Sequence, residues 1–373
     1  MKIFKVAFCN RPSFDNPLGG DAIQMLETKK YLEKNPGLHI DIITDPQQIS
    51  SEYSIVHVFN FLTYKITRKF IDRAYSLGIP IVSSCIYWDY SYAGTYAFFD
   101  LWAYPTHINK WQAKFLRNVL RILGYVSPKP VGTSSIFRKN ARRFIQMSTY
   151  IAPNSEEESK LLKQFANTKD VQINKFCTVF NGVQLDSKSI LIEDDFFSKY
   201  NIPHNYILQV GRIEYLKNQL NLLYALRNIS EIPIVFVGQI HSNIYYKRVK
   251  SLAQKRGNVF FINKVPHDDI ASFYKYAALH VLLSMRESPG LVNLEAASLH
   301  CPIVVPDERF LPLNTYFPNT PYVVDPFDIK KIREVVLRAY YERKTTNVNL
   351  NDFSWENVAK QTCEIYNKIV NNE

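Results

Sequence analysis

The sequence has 373 residues, of which 46% are hydrophobic and 21% charged, which excludes a disordered chain and allows two domains, each with its own core. Its five cysteines lack the paired spacing of zinc sites and disulfide frameworks, which indicates a reducing compartment. The net charge is +11, and the segment through Val183 holds 23 basic against 14 acidic residues, so we expect the first half to have an anionic partner.

Strand and helix patterns alternate along the first half of the chain, as in α/β proteins. The segments predicted to be strands are "KIFKVAFC", "LHIDIIT", "SIVHVFNF", "IPIVSSC", "TYIAPNS" and "KFCTVFNGV". Helices are predicted in "NPLGGDAIQMLETKKYLEKN", where a glycine-rich turn comes first, in "KITRKFIDRAYSLG" and in "EEESKLLKQFA". A long segment from Ile86 to about Thr149 is predicted to be largely irregular.

A second alternation follows residues 184–204, a polar and irregular segment in which we place the domain boundary. Its predicted strands are "YILQVG", "IPIVFVG", "NVFFI", "ALHVLLS" and "PIVVP". Its predicted helices are "LKNQLNLLYALRN", "NIYYKRVKSLAQK", "DDIASFYKYA" and "PGLVNLEAASL", and "FSWENVAKQTCEIYNKIV" reads as a closing helix. The two alternations predict two doubly wound, Rossmann-like α/β domains that face each other across a cleft, with ligands at the carboxyl ends of the strands. The predicted domains are residues 1–184 and 205–353, with helix 354–373 packing back toward the first.

Two glutamates bracket the predicted start of a helix in "ESPGLVNLEAASL". Glu287 lies in the loop after a strand, and Glu295 lies about two turns into a helix that we expect to begin at Pro289. The amides of Gly290, Leu291 and Val292 form the helix N-terminus, which attracts anions. Two carboxylates beside an anion site fit a nucleotide sugar; a capped helix with two solvated acids is an equally weighted alternative.

A second stretch, "ILQVGRIEYLKNQL", carries cations at the end of another strand of the same domain. Gly211 permits a tight turn, Arg212 offers a planar fork for phosphate oxygens, and Lys217 supplies a compact positive charge. Taken alone, these residues are explained as well by ordinary surface charge. Because both stretches follow strands of one domain, we expect them at the same edge of its sheet.

These motifs resemble those of GT-B glycosyltransferases of the glycosyltransferase 4 type, a family that retains the configuration of the transferred sugar. The resemblance rests on the E-x7-E pattern joined to "VGRIEYLKN", with "LGGDAIQMLETKKYL", "APNSEEE" and "VFNGV" as further matches. It implies an acceptor-binding first domain and a second domain that binds a nucleotide-diphosphate sugar.

The resemblance also implies a role for each matching residue. Glu287 would hold donor-sugar hydroxyls, Glu295 the ribose, and Arg212 and Lys217 the departing diphosphate. Gly290, Leu291 and Val292 would supply backbone hydrogen-bond donors. Gly19 and Gly20 would let the first domain's loop approach the phosphates or the acceptor, and Gly211 would help to bind the sugar donor through its tight turn. The weakest of these assignments is Val265, which lies where the family's base-contacting loop falls.

The implied chemistry needs no metal or other cofactor, because preorganised cations and amides can stabilise the leaving diphosphate. In the front-face mechanism that the resemblance implies, a donor phosphate oxygen takes the proton of the acceptor. We therefore do not assign the two glutamates as the acid–base pair of a hydrolase.

The chain departs from the family pattern on the acceptor side. Many members carry a histidine after the strand that here reads "IPIVSSCIYWDY", and Tyr87 or Asp89 is the candidate for polar contacts in its place. His300 stands where a glycine often closes the helix, and we interpret it as structural.

A basic amphipathic pattern lies in residues 110–143, inside the stretch between Asp100 and Glu156 that has no acidic residue. "NKWQAKFLRNVLRILGY" places four cations on one side of a helix and apolar residues on the other, and "IFRKNARRFIQM" adds four more cations. An anionic membrane surface fits this pattern, and an ordinary helix packed by its apolar side fits it nearly as well. No nucleic-acid-binding motif accompanies the basic charge, so we expect no nucleic acid partner.

The sequence thus predicts an enzyme that transfers a hexose from a nucleotide-diphosphate sugar to a saccharide hydroxyl, on a lipid carrier if the basic region binds membrane. The short first strand does not resemble a signal peptide and no apolar run is long enough to span a bilayer, so we expect a cytoplasmic location, peripheral to the inner face of the plasma membrane. Two alternatives remain open: a nucleotide-sugar epimerase of the same fold and a non-catalytic nucleotide-sugar-binding or scaffold subunit.

Overall fold

The structure is a computed structural model of the whole chain. It describes residues 4–15, 19–89, 110–123, 134–165, 173–183, 190–263, 265–266 and 269–371. Parts of the predicted irregular segment and of the basic region therefore lie outside the described residues.

Eleven strands lie within the described ranges: β1 Phe4–Cys9, β2 Leu38–Ile43, β3 Ile55–Phe59, β4 Ile81–Ser84, β5 Tyr150–Ala152, β6 Ile207–Val210, β7 Ile234–Val237, β8 Val259–Ile262, β9 Leu279–Val281, β10 Ile303–Pro306 and β11 Val323–Val324. The helices described there are α1 Gly20–Leu32, α2 Tyr64–Ser76, α3 Lys110–Ile122, α4 Ser135–Met147, α5 Glu156–Lys163, α6 Glu193–Tyr200, α7 Gln219–Ala225, α8 Asn243–Arg256, α9 Ile270–Tyr276, α10 Leu291–Ser298, α11 Leu313–Tyr316, α12 Ile329–Glu342 and α13 Trp355–Val370.

The chain divides into two compact units. The first comprises residues 1–89, 131–183 and 349–373, and the second comprises residues 90–130 and 184–348. The closing helix α13 is thus part of the first unit, and helix α3 is grouped with the second.

The first unit is built on a parallel five-stranded sheet with the order β2-β1-β3-β4-β5. Its strands are rich in buried β-branched and aromatic residues, as expected where helices cover a parallel sheet. Helix α13 completes this core: Trp355 and Val358 belong to the same buried hydrophobic cluster as Val6 and Phe8 of β1. A Cβ on Gly182 would lie 2.5 Å from the Trp355 ring, so the glycine of "VFNGV" makes room for this helix.

The last predicted strand of the first unit, "KFCTVFNGV", is wrong. Only an isolated bridge joins Phe176 to Ile151, although the N–H groups of Cys177 and Val179 donate to the carbonyls of Ile151 and Pro153 at 2.9 Å. Pro153 has no N–H to return a hydrogen bond, so the neighbouring chain prevents a regular ladder.

The second unit is built on a parallel six-stranded sheet with the order β11-β10-β9-β6-β7-β8. The chain runs outward from β6 through β7 and β8 on one side, and from β9 through β10 and β11 on the other. Strands β6 and β9 are neighbours, so the strand order reverses between them. In doubly wound sheets a ligand binds at such a switch point, beyond the carboxyl ends of the two strands.

Candidate active site

The turn after β6 packs closely against the backbone of the turn after β7. Gly211 and Gly238, which follow the neighbouring strands β6 and β7, both have a φ of +145°, and a Cβ on Gly238 would lie 2.3 Å from the Gly211 carbonyl oxygen. The Lys217 side chain passes over Gly211 and would lie 3.6 Å from a Cβ there. Glycine at 238 therefore lets the turns after β6 and β7 approach closely, and the φ at Gly211 is one that side chains rarely adopt.

Arg212 follows this turn and is held by a buried acid. Its Nη2 atom lies 3.0 Å from Oε1 of Glu214, whose side chain is only 5% exposed, and Nε2 of His241 lies 3.8 Å from the other oxygen. The Arg212 side chain is 41% exposed, so the guanidinium can bind a further anion. Glu214 thus anchors a cation that still faces solvent.

Lys217 pairs with Glu287 across the switch point. The Lys217 ammonium donates a hydrogen bond to Oε1 of Glu287, and the two side chains are 18% and 10% exposed. The pair joins the end of the turn after β6 to the loop after β9, although the residues lie 70 positions apart in sequence. The Glu287 backbone N–H also donates to the Phe310 carbonyl at 2.7 Å, which fixes the loop.

Helix α10 begins at Leu291, and the predicted start at Pro289 is wrong. Gly290 is the N-cap with a φ of +88°, and a Cβ on it would lie 3.2 Å from Cγ of Glu287. The amides of Leu291 and Val292 occupy the first helical positions, where the helix supplies no acceptor for them. The N-terminus of α10 therefore lies beside the Lys217–Glu287 pair.

Glu295 is the fifth residue of α10, about 6 Å along the axis from Leu291 and nearer the helix start than expected. It is half-buried, and its Oε2 accepts a hydrogen bond of 2.8 Å from the hydroxyl of Tyr274. Helix α10 closes with the Cys301 N–H bonded to the Ala296 carbonyl and with His300 at a φ of +58°. The structural interpretation of His300 is thus confirmed.

A buried polar layer lies beneath the switch point. His280 on β9 is fully buried; burial lowers its pKa to about 3, and the positive charge of Lys217 acts in the same direction. The ring is therefore neutral, and its Nε2 accepts from the Val210 N–H at 3.3 Å. Nearby in the chain, Gln209 Oε1 and Ser284 Oγ are buried atoms without a hydrogen-bond partner. Buried polar atoms are normally paired, so a water or a ligand group is the expected partner of these two atoms.

The other predicted site residues lie elsewhere. Gly19 is the N-cap of α1 and Gly20 its first residue, both in the first unit. The Tyr87 ring is 4% exposed and packs against Phe137 and Phe165, with centroid separations of 5.5 and 5.3 Å. Tyr87 is thus placed as a core ring, while Asp89 is partly exposed and Val265 lies half-buried after β8.

Sequence reasoning missed Glu214 and Tyr274. Glu214 stands inside the quoted motif, two residues after Arg212, and its spacing could have marked it as a partner of that cation. Tyr274 gives no such signal, because it lies 21 residues before Glu295 in a helix that reads as core. Among the described residues, no group of three or more His, Cys, Asp or Glu side chains could hold a metal ion. None of the helices in the described part of the chain is long and apolar enough to cross a membrane.

The second unit, which carries these motifs, is similar to known glycosyltransferases. Residues 192–348 match the family model described as Glycosyl transferases group 1. The O-antigen chain mannosyltransferase B of Escherichia coli is 26% identical over 183 residues, which cover 45% of this chain. The matched segment spans 47% of that relative's length.

Two solved structures resemble nearly the whole chain. Sucrose-phosphate synthase from Thermosynechococcus elongatus has a TM-score of 0.72 at 16% identity and covers 99% of this chain and 100% of its own. HepE of Anabaena in complex with UDP and glucose has a TM-score of 0.68 at 13% identity and covers 98% and 99%. The predicted fold class, two doubly wound α/β domains of the GT-B type, is confirmed by these likenesses, and the second unit carries the match to the group 1 glycosyl transferases.

Proposed function

We propose that this protein is a glycosyltransferase that moves a hexose from a nucleotide-diphosphate sugar to a saccharide hydroxyl in the synthesis of a cell-surface polysaccharide. The observation that carries the proposal is the convergence of Arg212, Lys217, Glu287 and the start of α10 on the switch point of the second sheet. The family match of residues 192–348 and the mannosyltransferase relative support the same reaction class.

The charges at the switch point suit the departure of a diphosphate. Arg212 and Lys217 neutralise the charge that develops on the leaving group, and the amides at the start of α10 add fixed dipoles. Glu287 holds the Lys217 ammonium and, with its remaining lone pairs, accepts hydrogen bonds from donor-sugar hydroxyls. The buried pair is therefore the link between sugar recognition and leaving-group stabilisation.

The reaction proceeds with retention and without a metal in this proposal. A donor phosphate oxygen takes the proton of the acceptor hydroxyl on the face from which the diphosphate leaves, so no carboxylate nucleophile is required. Glu295 binds the ribose, and Val265 lies in the loop that contacts the base. Gly19 and Gly20 let the backbone at the start of α1 approach phosphate or acceptor, and Asp89 remains the polar candidate on the acceptor side.

The first test is the fate of the donor sugar. The protein is incubated with UDP- and GDP-hexoses without an acceptor, and the products are followed by NMR and mass spectrometry. We expect the hexose to keep its identity and the nucleoside diphosphate to be released slowly, at the same rate in EDTA. The matching nucleotide should raise the melting temperature of the protein. Conversion of the donor to another hexose would establish the epimerase, and absence of release, with or without binding, would favour the non-catalytic nucleotide-sugar-binding or scaffold subunit.

The basic region supplies a second element of the proposal: helix α3 binds the anionic inner face of the plasma membrane, where a lipid-linked saccharide acceptor is presented. Trp111, Phe115 and Ile122 follow one stripe of α3 and are 74%, 61% and 79% exposed, whereas Leu120 on the opposite side is 5% exposed. The ordinary alternative, a helix whose apolar side packs on the protein, leaves this exposed stripe unexplained.

Charge favours a lipid surface over a protein partner. Lys114 and Arg121 are exposed beside the stripe, and no acidic residue lies between Asp100 and Glu156 in the sequence. Aromatic side chains flanked by cations suit the headgroup region, and each cation contributes about 1 kcal/mol near an anionic surface.

Co-sedimentation with vesicles tests this surface. We expect binding to vesicles with anionic lipid and little binding to neutral ones. Trp111→Ala with Phe115→Ala, or Lys114→Glu with Arg121→Glu, should weaken binding at least about tenfold, since two cations alone contribute about 2 kcal/mol. The control is Tyr341→Ala, which removes another exposed ring, 70% exposed on α12. Equal binding to neutral vesicles, or by the α3 variants, would contradict the proposal.

A further inference from the structure

Tyr274 carries a buried hydroxyl whose partner belongs to the candidate active site. The residue lies on α9 and is fully buried, and its hydroxyl donates to Oε2 of Glu295 at 2.8 Å. A buried tyrosine hydroxyl needs a hydrogen-bond partner, but a backbone carbonyl usually supplies it. Here the partner is the carboxylate at the second position of the E-x7-E pattern.

The tyrosine is a fixed donor. Its ring is fully buried and packs edge to face against His280 of β9, with a centroid separation of 5.5 Å, so the surrounding core restricts its movement. Burial, and then the charge of Glu295, raise the pKa of Tyr274 well above its usual value. The hydroxyl therefore keeps its proton at any pH at which the protein works, and it can only donate to the carboxylate.

Glu295 has a reason to need such a donor. It is half-buried on the fifth residue of α10, and a glutamate side chain at a helix surface samples several rotamers. A hydrogen bond from a rigid donor to one oxygen fixes the plane of the carboxylate. Recognition of two vicinal hydroxyls depends on that plane, because a misoriented acceptor loses hydrogen bonds without losing its charge.

We infer that Tyr274 is a positioning residue that orients the Glu295 carboxylate for the ribose of the donor nucleotide. This inference rests on the proposed function and adds a residue of α9 to nucleotide recognition. Tyr274 does not touch the ligand; it acts through Glu295 alone. Its hydroxyl should therefore matter only for nucleotides that carry ribose hydroxyls.

The test compares Tyr274→Phe with a matched control, Tyr206→Phe. Tyr206 is also fully buried, and its hydroxyl donates at 2.6 Å to the carbonyl of Phe273, the residue next to Tyr274. Tyr274→Phe removes a buried hydroxyl of α9, and Tyr206→Phe removes a buried hydroxyl that comes from the residue before β6 and bonds to α9. Calorimetry measures the affinity of UDP and GDP, and of their 2′,3′-dideoxy analogues, for both variants and the wild type.

We expect Tyr274→Phe to weaken ribonucleotide binding by about 3- to 10-fold, the range of a single hydrogen bond, and to leave dideoxynucleotide binding unchanged. Tyr206→Phe should change neither affinity, whatever its effect on melting temperature. In a Glu295→Ala background the substitution Tyr274→Phe should have no further effect on either nucleotide.

Two results would overturn the inference while leaving the proposed function standing: wild-type affinity of Tyr274→Phe for the ribonucleotide, or equal losses for ribo- and dideoxynucleotides, which would indicate a purely structural tyrosine. If the wild type binds no nucleoside diphosphate, both the inference and the proposed function fail.

Discussion

Replacing Lys217 with methionine is expected to reduce sugar transfer at least about 100-fold, the effect of removing one preorganised charge or hydrogen bond to a developing anion. Methionine keeps the length of the side chain over Gly211 and removes its charge. The substitution also leaves Glu287, 10% exposed, without the cation that it faces, so we expect a loss of stability of about 2 kcal/mol.

The double variant Lys217→Met with Glu287→Gln separates these effects. A neutral glutamine no longer needs a cation, so the melting temperature should recover toward that of the wild type while transfer stays lost. Glu287→Gln alone should also impair transfer, because the amide accepts fewer hydrogen bonds from the sugar. Near-normal turnover in Lys217→Met, or recovery of activity in the stable double variant, would refute the role of this pair.

The largest effect on stability is expected at Arg256, the last residue of α8. It is 5% exposed, and burial lowers its pKa to about 10, so it remains charged. It donates to five backbone carbonyls, those of Leu226, Ile229, Ile232, Gly257 and Asn258. The side chain thus closes the loop between α7 and β7 and the end of α8.

Arg256→Met should lower the free energy of unfolding by about 3–5 kcal/mol, because it leaves several buried carbonyls without a hydrogen-bond donor. The melting temperature should fall by about 10 °C. The neighbouring Lys255 is exposed on the same turn, so Lys255→Met is the matched control and should change little. Thermal unfolding of the two variants side by side measures the difference. Equal melting temperatures would show that the carbonyls find other partners.

Sequence patterns predicted most of the fold because its strands are short, apolar and separated by amphipathic segments. Where prediction failed, tertiary context decided. The polar segment 184–204 contains α6, whose acidic first turn, Glu193 to Asp195, stabilises a helix start but leaves little apolar periodicity to detect. Helix α10 begins two residues later than predicted, because Gly290 takes a left-handed conformation that the local sequence pattern does not reveal.

The sequence predicted which residues belong to the candidate site, but it did not predict all of the pairs that they form. The spacing of Gly211, Arg212 and Lys217, and of Glu287 and Glu295, placed all five after strands of one sheet. The pairs Lys217–Glu287 and Tyr274–Glu295 were not predicted, because their residues are separated by 70 and 21 positions. Glu214, two residues after Arg212, could have been found from its spacing. The roles assigned to all five residues stay predictions.

The central claim is that the switch point between β6 and β9 receives the diphosphate of a nucleotide sugar. A crystal structure with UDP or GDP bound tests it most directly. We predict phosphate oxygens within hydrogen-bond distance of Arg212, Lys217 and the amide of Leu291, with the ribose at Glu295. A nucleotide bound away from the turn after β6 and the start of α10 would contradict the account.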